Sequence, residues 1–398
     1  MHRSAFTLVS ATVLALAATG IAVIAQPTPA AAARKEVQCT GTDDATTINN
    51  AIKASKAGDE IVILGRSVTA DEPAVCVINK TIVLRGDRTY RGDSRTGLRI
   101  KQADSVNLPA LLASDTWDAD QAYSGNPIRV ERLTLDGNRT KNTTGTVGLM
   151  LRSWGSRISD IQIEQTSSDA IRLSNPSKNG TTIDSASNTM VNGVISDVYI
   201  TGSGGAGVKV LDPAGGVISD WTFTRSWVRD SGTSAVESDN TAGWLLSDLH
   251  LYGNASSALD LNRCFGTSIQ GNYIEDFGYK ATTEKAWLYG IRCVVQQGAT
   301  TTISNNKIHN FRDEGEAPPT GPYYYYIAVD GVESGDGNVV VTGNAILGNG
   351  TADQTGLQYE KKSGASLTVV STGNLVKNVS KPLVKVPNDA TVMVSAGL

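Results

Sequence analysis

Histidine is scarce in this chain of 398 residues, with three copies. Only His250 and His309 lie beyond the N-terminal segment, too few for a histidine-built metal centre. No block of basic residues occurs. Lys and Arg number 35 against 39 Asp and Glu, a net charge of −4, which argues against a nucleic-acid partner. Beyond the N-terminus no run is apolar enough to span a bilayer. Helical periodicity is also missing from most of the chain, which excludes a helical bundle. Cysteine is limited to four residues.

Residues His2 and Arg3 precede an apolar run from Ala5 to Ala25, and small residues follow up to Ala33. This is the pattern of a secretory signal peptide, with cleavage expected after Ala25 or Ala33. Residues 1–33 are therefore expected to be removed, leaving one domain over 34–398 in an extracellular setting with no membrane anchor. Loss of Arg3 leaves 34 basic against 39 acidic residues, 34 − 39 = −5. In a secreted chain four cysteines suggest two disulfides. Cys264 and Cys293 lie near the ends of successive strand copies, so a coil-to-coil bridge is feasible. Cys39 and Cys76 would then pair near the N-terminal end.

What is present is repetition. A short strand recurs nine times: 148–151 (GLML), 170–173 (AIRL), 207–210 (GVKV), 235–238 (AVES), 258–261 (ALDL), 290–293 (GIRC), 328–331 (AVDG), 356–359 (GLQY) and 382–385 (PLVK). Successive copies start 22 to 38 residues apart. Repeats of this size without helical periodicity predict a parallel β-solenoid, whose coils bury their apolar positions against one another. If Ile171, Val208, Val236, Leu259, Ile291 and Val329 point inward, the following residues point outward. Arg172, Lys209, Glu237, Asp260, Arg292 and Asp330 are then expected in one outer file, with Met150 and Gln358 at its ends. Asp239 adds a carboxylate on the same face.

A second strand family reads Ile158-Ser-Asp-Ile-Gln-Ile163, and recurs from Ile195, Ile218 and Leu246, then with Asn from Ile269, Ile303 and Val341. Asn272, Asn306, Asn344 and Asn374 are expected to stack as an internal amide ladder at a tight bend. Asp160, Asp197, Asp220 and Asp248 read as turn residues. Their fourfold occurrence argues against catalysis by any one of them. Residues 42–55 predict a helix capped by Thr42 or Asp43, with Ile48, Ala51 and Ile52 on one face. It would cover the open first coil.

The charged file admits one purely structural reading and three functional ones, of which glycosidic cleavage is the first. As a stability device it is a solvated ladder of ion pairs, Lys209 with Glu237 and Asp260 with Arg292. Two features favour function instead. The outward column of the second strand family reads Gln162, Tyr199, Thr222, His250, Tyr273 and Lys307, so charge is not the general rule outside. Glu237 beside Asp260 is also a like-charge pair. Two carboxylates about 5 Å apart at an effective dielectric near 20 repel by roughly 3 kcal/mol, on the order of two pKa units. Such a pair suits an acid and a nucleophile for glycosidic cleavage. Asp330, two coils from Asp260, would suit a hydrolase with a water between the acids. The second reading is a polyuronate lyase, with Arg172, Lys209 and Arg292 neutralising substrate and Glu237, Asp239 and Asp260 holding Ca²⁺. No cofactor is expected otherwise. The third is a non-enzymatic carbohydrate-binding solenoid or adhesin.

Long insertions at 276–287, 312–322 and 177–190 are expected to wall a cleft. Trp287, Tyr289 and Tyr324 are expected to pack on sugar C–H surfaces, although at least two of Tyr323 to Tyr326 should face the core. The partner is expected to be a polysaccharide or oligosaccharide, bound by a monomer or a homotrimer.

The cap with Asp43, Asp44, Ile48, Ala51 and Ile52, the coil repeats and the Asn ladder resemble the pectate-lyase-like right-handed parallel β-helix superfamily over residues 40–398. The resemblance implies an all-β parallel β-helix with an N-terminal capping helix. It also implies an extracellular enzyme acting on polysaccharide in a groove on an outer sheet face. In a narrower way the chain resembles the inulin fructotransferases, β-helix enzymes that release cyclic difructose anhydrides. Val236-Glu237 matches their catalytic glutamate strand, and Asp260 and Arg292 match the acid and arginine of the next coils. It departs from them at the second catalytic acid, whose slot falls near Arg225 or Asp220.

Overall fold

The computed structural model describes residues 32–395, apart from 68, 70–71, 185–187, 214, 280–285, 297, 312–322, 333–335, 351, 362–363 and 387–391. The expected signal segment lies almost wholly outside the described residues, as do the loop at 312–322 and half of that at 276–287. Among the described residues no helix is long and apolar enough to cross a membrane.

The chain winds as a right-handed parallel β-helix. The nine strand copies belong to an 11-stranded sheet that also holds Ile82–Leu84 and Ala110–Ser114 and runs in chain order to Lys381–Val386. The second strand family, apart from Ile218–Ser219, belongs to a 22-stranded sheet covering two sides of each coil. Inward residues such as Ile171, Val208, Leu259 and Ile291 are fully buried, and form one core running from Val37 to Val369.

The helix spans Asp44–Lys53, shorter than expected at both ends, and buries Ile48 and Ile52. Its cap differs too. Asp43 is left-handed (φ 47°) and makes no side-chain cap bond. Asp44 takes that work from within: its buried carboxylate accepts from the amides of Thr40 (2.7 Å) and Val77 (2.8 Å). Asn49 completes the sheet edge, accepting from the amide of Val83 at 2.8 Å and donating to the carbonyl of Thr81 at 3.0 Å. The open end is thus hydrogen-bonded as well as covered.

The corners repeat as the strands do. Asp160, Asp197, Arg225, Asp248, Gly271, Asn305, Gly343 and Gly373 all have φ between 47° and 68°. This left-handed conformation is open chiefly to Gly, Asn and Asp. One residue further on, Asn272, Asn306, Asn344 and Asn374 form the expected ladder. The Nδ2 atoms of Asn272, Asn306 and Asn344 each donate to the Oδ1 of the next Asn at 2.9 Å.

One strand copy is misplaced by the sequence pattern. Thr222 pairs with Val194, and Ile218 pairs with Met190 in a separate two-stranded sheet. The slot expected for Thr222 in the outward column is held by Trp227, between Tyr199 and His250. Asp220 is therefore not equivalent to Asp197, whose corner position passes to Arg225. The same Ser-Asp chemistry serves corners of both sheets, so the dipeptide alone does not tell them apart.

Both expected disulfides are formed. Cys39–Cys76 has Cα atoms 5.3 Å apart and Cys264–Cys293 5.9 Å. The first ties the cap to the first coils. The second staples neighbouring coils beside the charged file.

Candidate active site on the outer sheet face

Pairing across the 11-stranded sheet puts Arg172, Lys209, Glu237, Asp260 and Arg292 opposite one another in turn. Asp330 leaves the file. Ala328 pairs with Arg292, and Asp330 pairs with Val294 and Glu360. The shift is two residues, so Asp330 keeps the outward face but stands further along the strand. Met150, at the other end of the file, is covered. It packs with Ala113 and Trp117 in a small satellite cluster on the outer side.

The file is neutralised pair by pair. Lys209 Nζ donates to Glu237 Oε1. Arg172 turns away to Asp169, with Nε 2.6 Å from Oδ2. Arg292 bridges two acids, reaching Asp260 Oδ1 at 2.8 Å and Asp330 Oδ2 at 2.9 Å. Burial would by itself lower the Arg292 pKa. The Asp260 hydrogen bond and the field of Asp330 outweigh it, so the guanidinium is held more firmly charged than usual. Asp239 does not join this set. Its Oδ2 accepts from the amide of Asp212 at 3.0 Å at the edge of the sheet. Glu237, Asp239 and Asp260 each bond a different partner: Lys209, the amide of Asp212 and Arg292.

Beyond Arg292 the face deepens into a cleft of about 420 Å³, lined by Trp287, Tyr289, Arg292, Tyr325, Asp330, Gln358 and Glu360. Trp287 is 64% exposed at its mouth. Tyr289 and Tyr325 stack across neighbouring coils, centroids 5.6 Å apart, and the Arg292 guanidinium lies 5.6 Å from the Tyr289 ring centre. Burial pushes both tyrosine hydroxyls upward, so both remain protonated donors. Tyr324, expected at the surface, is 2% exposed and packs edge-on against Phe277. The tyrosine run alternates, and the ring that reaches the cleft is Tyr325.

Glu360 is the residue that sequence reasoning missed. Its Oε2 accepts from Gln358 Nε2 at 2.9 Å. The outward alternation after Gln358 is the signal that could have found it. The 177–190 insertion walls a different place. Its start is tied to the segment after Ala110–Ser114, with Lys178 Nζ 2.8 Å from Asp118.

Comparison with known proteins agrees with this architecture. Residues 151–315 and 216–395 match the family described as right handed beta helix region. No curated protein matches the sequence. Among solved structures, a hyperthermoactive exopolygalacturonase from Thermotoga maritima aligns at 12% identity and TM-score 0.51, over 91% of this chain and 92% of that one. The A-module of a mannuronan C-5 epimerase from Azotobacter vinelandii aligns at 14% identity and TM-score 0.51, over 90% and 97%. PfbA, a surface adhesin of Streptococcus pneumoniae, aligns at 12% identity and TM-score 0.53, over 89% and 96%. Identities this low carry the fold alone. The two family matches together span more than half of the residues, and with the coils and the amide ladder they lead to one conclusion: the chain belongs to the right-handed β-helix family.

Proposed function

We propose that this protein is a secreted, polysaccharide-active enzyme that cleaves glycosidic bonds in the aromatic-walled cleft beside Arg292. One observation carries the reading: a guanidinium that bridges two acids, Asp260 and Asp330, at the edge of a cleft whose wall is Trp287, Tyr289 and Tyr325. Aromatic rings beside carboxyl groups on a half-wet surface suit a sugar ring, apolar on its C–H faces and polar at its rim. The disulfides and the N-terminal pattern support secretion.

Asp330 and Glu360 are the acid pair of this cleft. They occupy adjacent coils, whose backbones are about 4.8 Å apart. Their surroundings differ. Asp330 is held by a cation and is suited to act ionised, as nucleophile or base. Glu360, which accepts from the Gln358 amide, is assigned the acid that protonates the leaving oxygen. Side chains on adjacent coils can reach the roughly 5 Å carboxyl separation of a retaining or transglycosylating course. Arg292 orients Asp330 and, with Asp260, fixes the sugar hydroxyls. Glu237 and Lys209, paired with each other further along the file, are assigned to the ladder or to remote substrate contacts.

Product analysis on a polysaccharide panel tests the reading. A new reducing end, or a cyclic disaccharide, without ultraviolet absorption is expected. An unsaturated, ultraviolet-absorbing sugar would replace it with a lyase, and no product from any polymer would favour a binding solenoid.

A further inference from the structure

A second cleft lies near the N-terminal end, about 650 Å³ in volume, beyond the ends of the strands Ile82–Leu84, Ala110–Ser114 and Val147–Leu151. Tyr123 and Trp154, 49% and 43% exposed, stand in its lining with Arg85, Asp115 and Asn126. We propose that this cleft is a separate binding site for an uncharged oligosaccharide segment. It anchors the polymer away from the cleft at Arg292.

The site is built rather than incidental. Beneath it Arg152 is completely buried, although burial weakens its hold on the proton. Its guanidinium donates to the backbone carbonyls of Asn175 at 2.7 Å, of Thr181 at 2.9 Å and of Gln121. A buried cation committed to carbonyls is costly. What it secures is the position of the two segments around the cleft, the one carrying Tyr123 and the one beginning the 177–190 insertion. Trp154 is fixed as well. Its amide donates to the carbonyl of Gly125 at 3.1 Å, while the amide of Gly125 donates to the carbonyl of Arg152 at 2.9 Å. Two large rings are thus held partly in solvent on a pinned frame.

The chemistry of the lining selects the ligand class. Two cations, Arg85 and Arg88, face two acids, Asp87 and Asp115, so the cleft carries no net charge for an anion or a cation. Burial raises the Asp115 pKa, and the Thr116 amide and the two arginines only partly oppose this. The Asp115 carboxyl accepts from that amide at 2.9 Å. Its remaining capacity lies in the lining with Asn126 and Arg85. Alternating donors and acceptors with exposed rings match hydroxyls and C–H faces of neutral sugars. From the strand Val147–Leu151 to Trp287–Val295 there are five coil steps, or about 24 Å. A polymer chain can therefore engage both clefts.

The test is independent of catalysis at the other cleft. The full chain carrying Trp287→Ala, which lacks the exposed ring of the Arg292 cleft, is run in native gels containing soluble xyloglucan, mixed-linkage β-glucan, arabinan or levan. Polygalacturonate and alginate serve as charged probes. Retardation by at least one neutral polymer is expected, weakened at least fivefold by Trp154→Ala or Tyr123→Ala and kept by Trp154→Phe. The proposal is overturned if no neutral polymer retards the protein, if only the charged ones do, or if the Trp154→Ala/Tyr123→Ala pair leaves retardation within twofold. Should that pair melt early, Asn126→Ala replaces it, with the same two readings.

Discussion

Asp330 stands two residues past the position that pairs with Arg292, yet its Oδ2 lies 2.9 Å from Arg292 Nε. The guanidinium spans the offset because it also reaches Asp260 on the coil before. A planar fork can hold two carboxylates in different directions, which a lysine cannot do. Asp330 thereby leaves the stacked file and lines the cleft.

Asp330→Asn and Glu360→Gln are each expected to lower turnover by about 10²–10⁴-fold, the range for loss of a positioned acid or base. Their combination should be scarcely worse than the stronger single change, as for residues acting as a unit. Initial rates on the polymer identified by product analysis, with melting curves as a folding control, check this. Additive losses would mean that the two side chains do not share a step.

Glu237→Gln separates the ladder from the chemistry. Glu237 is committed to Lys209 and does not line the cleft. The expected change in turnover is under tenfold, and the stability change about 1 kcal/mol or less, since the pair is partly exposed. A loss above 10²-fold in the same rate assay would return the acid role to Glu237.

Asn306→Ala should destabilise the fold by about 3 kcal/mol or more, because several buried polar groups lose their partners at once. The side chain is fully buried, donates to Ile269 O at 3.1 Å and Asn344 Oδ1 at 2.9 Å, and accepts from the amide and the side chain of Asn272. Urea unfolding measures the loss. A variant as stable as the parent would show that water replaces the rung.

Acid should expose Asp212. Burial alone would raise its pKa, but amides of Gly216 and Ile218 and side chains of Asn240 and Asn175 hold it below the ordinary aspartate value. A depressed folded pKa contributes stability above the unfolded value, and that contribution is lost as pH falls through the folded pKa. The parent's melting temperature should therefore drop below about pH 4 more steeply than that of Asp212→Asn, which starts lower at pH 7. Parallel pH profiles of the two proteins would rule this out.

The fold and the first five members of the file are legible in the sequence because side chains alternate with a period of two. A slip by one would have inverted the faces, so Ile171 through Ile291 fix the register strongly. A slip by two preserves the faces, and alternation is blind to it. That is why Asp330 reads as a continuation of the file when small residues are matched, Ala328 with Gly290. The pairing instead follows longer strands, with Trp287, Tyr289 and Ile291 opposite Tyr323, Tyr325 and Ile327. Tyr324 fails as a platform for a simpler reason: in an alternating run, ring identity does not say which parity faces the core. Glu360 carries no motif beyond the outward alternation that follows Gln358, and its place in the site comes from the cleft it lines.

The two clefts sit on one winding, so their separation is counted in whole turns rather than set by a hinge. A duplication of one turn between Leu151 and Trp287 would move them apart by about 4.8 Å, and a deletion would bring them closer by the same step. Lengthening a corner loop would leave the interval unchanged. Reach along a polymer can therefore be adjusted in discrete increments, without altering any side chain that touches it.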